Sequence, residues 1–184
     1  IDLPSSTIED TFAFNTATIS KTPKYDKGLE LVTYQKTAIG DGNQASNPWL
    51  QEMPDPISKV TWDNYITMNP VEMTAAGYAT TFDQENGLSM ATISANGVKY
   101  TLPVYPSPGQ ALGTVGVALG YGRGGNGEKI GKAAYQTKEY GGHILNEKGH
   151  PKPIGENAFK MVSADSKEFT YANSGKIVNV DGAV

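Results

Sequence analysis

Between Asn64 and Arg123 the apolar runs are repeatedly cut short by glycine, proline or an Asn-Gly pair. This punctuation decides what the chain can become. Asn69 can cap a helix through its side-chain oxygen. Pro70 then falls at the first helical position, where its missing N–H costs nothing. Glu72 suits the positive helix end and can reach back to the cap. Gly77 is the residue that ends such a segment in the left-handed conformation. The spacing therefore predicts a helix of about two turns near Pro70–Ala76, too short to stand without packing. Val71, Met73 and Ala75 are its candidate packing residues. Asn96-Gly97 is the preferred pair for a two-residue hairpin turn. Beyond it Val98, Tyr100, Leu102 and Val104 alternate with Lys99, Thr101 and Pro103, as in a half-buried strand. Pro103 lacks a donor and points to an edge or a bulge. Pro106 and Pro108 are expected to end the ladder. Thr114 to Leu119 reads as a short buried strand that empties into the glycine-rich turn Gly120–Gly125.

The same rhythm extends outward. Leu29 to Tyr34 reads as a first strand, Asp41-Gly42-Asn43 as a turn, Val60 to Met68 as a strand through Trp62, and Lys176 to Val180 as a closing strand. With 21 glycines and 11 prolines in 184 residues, β structure with many turns is favoured over a helix bundle. The length fits one domain with a real core. Residues 1–28 read as an N-terminal arm or peripheral strand carrying Phe12-Ala13-Phe14, and residues 29–184 as the barrel domain. The chain opens at Ile1 and reads as an excised domain or a processed chain.

Composition removes several function classes. The chain holds no cysteine, which excludes disulfides, thiolate chemistry and iron–sulfur ligation by this segment. A net charge of −4 without a basic stripe gives no footing for nucleic acid. No run approaches eighteen consecutive apolar residues, so no spanning helix and no direct membrane insertion are expected.

Candidate chemistry is sparse. His143 and His150 stand seven residues apart among Gly, Lys and Pro, without the partners a metal site requires. No nucleophile elbow, zinc helix or phosphate loop is present. The acidic residues Asp41, Glu52, Asp55 and Asp63 are scattered over loops. Gly120–Gly125 reads first as a plain flexible turn with a solvated arginine; its glycine backbone donors and the forked cation at Arg123 also suit an anion. The segment Asn47–Ile57, with prolines at 48, 54 and 56, holds Trp49, Leu50 and Met53 in a loop. Such a loop either packs over one end of the fold or presents a surface to a neighbouring domain. Gly124–Gly155 reads as a long irregular segment. No catalytic residue and no metal ligand is assigned.

A family resemblance adds to these readings. Asn64–Tyr78, with its strand, Asn-Pro and short helix ending in glycine, resembles a unit of the C-terminal domain of molybdopterin oxidoreductases. The hairpin at Thr92–Pro103, the Pro/Gly passage and Val115–Arg123 follow in that domain's order. Gly155-Glu156-Asn157-Ala158-Phe159 resembles its later Asn-containing segment. The longer motif Asn47–Tyr65 with Gly120–Arg123 resembles the molybdopterin-oxidoreductase-like half of the iron–sulfur subunit of bacterial alternative complex III. The resemblance covers most of residues 29–180.

It implies a mainly-β fold, a six-stranded closed double-psi β-barrel with short helices and long loops. It implies a non-catalytic scaffold within a respiratory, quinol-oxidising electron-transfer complex on the periplasmic side of the cytoplasmic membrane. The partners would be other domains of the same subunit and other subunits of that membrane-bound complex. Cofactor contacts carried over by resemblance fall at Gly120, Tyr121, Gly122, Arg123 and Asn157. The long insertion Gly124–Pro153 and the polar turn Asp83–Gly87 depart from cofactor-bearing members, so the isolated domain is expected to hold no cofactor. The alternative is a domain that binds molybdopterin guanine dinucleotide in an active molybdenum oxidoreductase.

Overall fold

A computed structural model describes residues 29–83, 87–124, 135–162 and 181–183. The expected arm (1–28) and the closing strand at 176–180 lie outside these residues. The described elements are β1 (Glu30–Tyr34), α1 (Pro48–Glu52), β2 (Ile66–Met68), α2 (Pro70–Ala75), β3 (Met90–Ala95), β4 (Val98–Pro106), β5 (Thr114–Ala118), a 3-10 helix (Ala158–Met161) and β6 (Asp181–Ala183). The strands form one sheet in the order β1-β5-β2-β4-β3-β6. The fold is mainly β with short helices, as the turn chemistry predicts. Among the described residues the sheet is open, with β1 and β6 at its edges.

Two parallel pairs, β1/β5 and β2/β4, flank the antiparallel pair β2/β5. The β3/β4 hairpin turns at Asn96-Gly97, both at positive φ (48° and 77°), as the pair requires. β5 is hydrogen-bonded on both sides, and Val115 to Ala118 are all buried. The main core joins Leu31, Ile66, Met68, Ile93, Val104, Val115 and Val117 from the sheet to Met73 of α2 and Met161 of the 3-10 helix. A smaller cluster gathers Ile39, Ala118 and Tyr121, with Tyr34, Leu50 and Ile154 packed against it.

α2 follows the sequence signals closely. The Asn69 side-chain oxygen accepts from the Val71 amide at 2.9 Å, and Gly77 takes φ 82°. Two expectations need correction. Glu72 does not return to the cap; its Oε1 accepts from the Gly113 amide at 2.7 Å, because the turn before β5 lies closer. Of the three candidate packing residues only Met73 is buried, while Val71 is 69% exposed. A six-residue helix resting one face on a sheet has room for a single inward side chain.

Proline placement also differs from expectation. β4 runs through Pro106, whose partner in the parallel ladder is Met68. The ladder survives because Ser107 supplies the next donor, to the Met68 carbonyl at 2.8 Å. Pro103 pairs with Met90 at the end of the β3 ladder, and β2 takes up pairing only from Val104. Its missing donor therefore costs no bond on the β2 side. Trp62 lies outside β2 at φ 62°, so the strand expected from Val60 begins only at Ile66. Residues 135–155 are less irregular than their composition suggests. Single bridges Tyr135↔Pro153, Thr137↔His143 and Leu145↔Pro151 fold them into a narrow antiparallel ribbon.

Candidate functional site

The five residues tied by resemblance to a cofactor do come together. After β5, Gly120 and Gly122 take φ 93° and 69° and swing the chain under the segment 154–157. The Gly122 amide donates to the Ile154 carbonyl at 3.0 Å. A Cβ on Gly122 would lie 2.3 Å from the Asn157 nitrogen, and one on Gly120 would lie 2.8 Å from the Gly42 nitrogen. The turn is glycine-rich because three backbone segments touch there. Asn64, fully buried, completes the joint. Its Nδ2 donates to the Ala118 and Glu156 carbonyls at 3.1 and 2.8 Å, and its Oδ1 accepts from the Glu156 amide at 3.0 Å.

The polar atoms of this joint are directed into the chain itself. Arg123 Nη1 donates to the Gly42 carbonyl. The Asn157 side-chain oxygen accepts from the Phe159 amide at 3.1 Å and caps the 3-10 helix. Tyr121 is buried. A pyrophosphate needs several convergent donors on ordered backbone. Here the Gly122 amide and Arg123 Nη1 are engaged by the Ile154 and Gly42 carbonyls, which removes two of the donors that a pyrophosphate would use. His143 stacks edge-on against Tyr135 with ring centroids 5.3 Å apart, a packing role. Among the described residues no group of three or more His, Cys, Asp or Glu is placed to hold a metal.

A second region was invisible along the sequence. Lys36 follows β1 and is only 5% exposed. Its ammonium stands 4.3 Å from the Tyr65 ring centroid and 5.2 Å from that of Tyr121, and donates to the Asp63 carbonyl at 3.3 Å. Burial lowers its pKa from 10.5 to about 8, against the upward pull of Asp55 and Asp63. Burial also raises the phenols of Tyr34, Tyr65 and Tyr121, which stay neutral over the physiological range.

Beside this cluster the proline-rich loop is fastened to the sheet from beneath. Asp55 Oδ1 accepts from the amides of Ile57 and Ser58 at 3.0 and 2.9 Å, and from the Ser58 hydroxyl at 3.2 Å. Burial pushes the Asp55 carboxyl up, but these three bonds and the Lys36 charge leave it below its ordinary value. Ser58 Oγ shares a short hydrogen bond with the Tyr65 hydroxyl, and Tyr105 donates to the Ser58 carbonyl at 2.7 Å. Between loop and sheet lies a cleft of about 230 Å³ lined by Tyr34, Asp55, Ser58, Tyr65, Thr67 and Tyr105, with Ile57 and Pro106–Pro108 at its margin. Gly116 leaves space for two of the lining side chains. A Cβ there would meet Thr67 Oγ1 at 2.5 Å and the Tyr34 ring at 3.2 Å.

The outer side of the loop is apolar and uncovered. Trp49 is 82% exposed, Ile57 86% and Met53 42%. Of the two sequence readings for this loop, packing over an end of the fold fails for Trp49 and holds only for half-buried Leu50. α1 is a single turn and can bury one face, which it gives to Gln51, whose Nε2 donates to the Ala45 carbonyl at 3.0 Å. Ser58 has a carboxylate neighbour with a depressed pKa, a weak base, and no histidine stands beside it.

No protein-family model matches this chain, and no curated protein matches it at a significant level. Among the described residues no helix is long and apolar enough to cross a membrane.

Proposed function

We propose that this chain is a non-catalytic docking domain. In that reading it is the C-terminal barrel of a molybdopterin-oxidoreductase-like subunit in a respiratory, quinol-oxidising complex on the periplasmic side of the membrane. The carrying observation is the outward presentation of Trp49 and Ile57 on a loop pinned by hydrogen bonds underneath. A solvated loop gains nothing from two large apolar side chains held this way, whereas a buried interface does. The occupant is a neighbouring domain or subunit of the same complex, with an apolar face. The two parallel strand pairs around an antiparallel centre support the finer double-psi barrel, whose closure requires β1 to meet β6.

The test is the double variant Trp49→Ser/Ile57→Ser in the full-length subunit. We expect the variant to melt like the parent in the isolated chain, because neither side chain is buried, and to lose association with its neighbours. Unimpaired assembly would refute the docking role.

The meeting of Gly120–Arg123 with Asn157 is the one observation that favours the alternative, a domain for molybdopterin guanine dinucleotide. Their bonds to neighbouring backbone, at Ile154, Gly42 and Phe159, argue for a structural joint, and we expect calorimetric titration of the isolated chain with GDP to show no binding at micromolar concentration. Saturable binding that Arg123→Ala abolishes without lowering the melting temperature would favour the enzyme instead.

A further inference from the structure

We infer that the cleft between the proline-rich loop and the sheet is a binding site for an organic ammonium group. Tyr34, Tyr65 and Tyr105 come from three separate segments of the chain and line one cavity of about 230 Å³ together with a single carboxylate, Asp55. The Tyr65 and Tyr105 rings lie 5.3 Å apart, tilted by 51°, and the Phe82 ring packs against Tyr105 at 5.5 Å. Ring faces are negative and attract cations, most strongly where water is excluded. The three hydrogen bonds to Asp55 all fall on Oδ1. They hold the carboxyl ionised and fixed, and among the described residues Oδ2 carries no such bond. The cavity is large enough for a tetramethylammonium-sized head and its short apolar tail.

The molecule already demonstrates the chemistry with its own cation. Lys36 sits on the Tyr65 ring at 4.3 Å, at the inner side of the same cluster. While charged it opposes a second cation. The groups facing it are Asp55, Asp63, Tyr65 and Tyr121, and the tyrosines stay neutral in this range. Loss of the Lys36 proton near pH 8 therefore strengthens the site for a ligand whose own charge does not titrate.

Calorimetric titration of the 184-residue chain with tetramethylammonium and with n-butylammonium tests the inference, with 3,3-dimethylbutan-1-ol as the neutral isostere of a quaternary head. We expect saturable millimolar binding of at least one cation and none of the alcohol. Asp55→Asn keeps the loop's acceptor and removes the charge, and should weaken binding by about tenfold or more. Tyr105→Leu should weaken it while the circular dichroism spectrum is retained. Tetramethylammonium binding should tighten from pH 7 to pH 9, and Lys36→Met should abolish that dependence. N-acetyl-lysine methylamide separates the sources: binding as tight as n-butylammonium assigns the site to a lysine side chain of a polypeptide, and exclusion assigns it to a free amine. Equal binding of the alcohol, no saturation by either cation, or an unaltered affinity in Asp55→Asn would overturn the inference.

Discussion

At the scale of single residues, two glycines separate conformational from steric constraint. Gly77 has φ 82° with nothing within 4 Å of a built Cβ, so Gly77→Ala meets only backbone strain. It should cost about 1 kcal/mol. Gly122 has φ 69° and a Cβ that would strike the Asn157 backbone at 2.3 Å. Gly122→Ala should cost more than about 2 kcal/mol, because neither backbone can yield without breaking the joint around Asn64. Denaturant midpoints of the two variants check this, and equal losses would mean that the joint is looser than drawn. Lys36 gives a pH prediction. Its folded pKa, about 8, lies below the ordinary 10.5, so the unfolded chain holds the extra proton between these values. Stability should therefore rise as pH climbs from about 8 towards 10, by no more than about 3 kcal/mol, the proton penalty being relieved. Above pH 10 the raised tyrosines oppose it, since the unfolded chain then loses phenol protons that the folded one keeps. Chemical denaturation at pH 7.5 and 9.5 should show the rise in the parent and not in Lys36→Met.

At the scale of elements, the helix and hairpin were legible because their signals are local. Asn69, Pro70 and Gly77 specify a start and a stop within one short window, and Asn96-Gly97 specifies a turn by itself. Asn69→Ala should cost about 1–2 kcal/mol. It removes the bond to the Val71 amide at 2.9 Å and the one from Nδ2 to the Gln110 carbonyl at 2.6 Å. A melting curve that does not move would show that α2 is held by Met73 alone. Elements whose form depends on a partner were not legible. Pro106 stays in a ladder because Ser107 donates to Met68, a pairing set by β2. Trp62 leaves the expected strand because its amide bonds to the Gln51 carbonyl at 2.8 Å, across the proline-rich loop. The cleft was hidden for the same reason. Tyr34, Asp55, Tyr65 and Tyr105 are distant along the chain and meet only when β1, β2 and β4 enter one sheet. By contrast Gly120–Arg123 and Asn157 could be named together from the resemblance alone, but not the bonds that turn them inward.

At the scale of the whole molecule, the chain divides its resources unevenly. In the 47–62 loop Gln51 and Ser58 bond inward, to the chain beneath and to the sheet, while Trp49 and Ile57 face water. That arrangement is costly for a free-standing domain and favourable for one seated in a larger assembly. The chain has two tryptophans, Trp49 and Trp62, so Trp62→Phe leaves Trp49 as the sole reporter of the exposed face. The most direct measurement is the fluorescence of that variant, with acrylamide quenching, in the isolated chain and in the full-length subunit. Emission should be solvent-like and freely quenched in the isolated chain, then blue-shifted and shielded in the subunit. Equal quenching in both would contradict the docking role of this face.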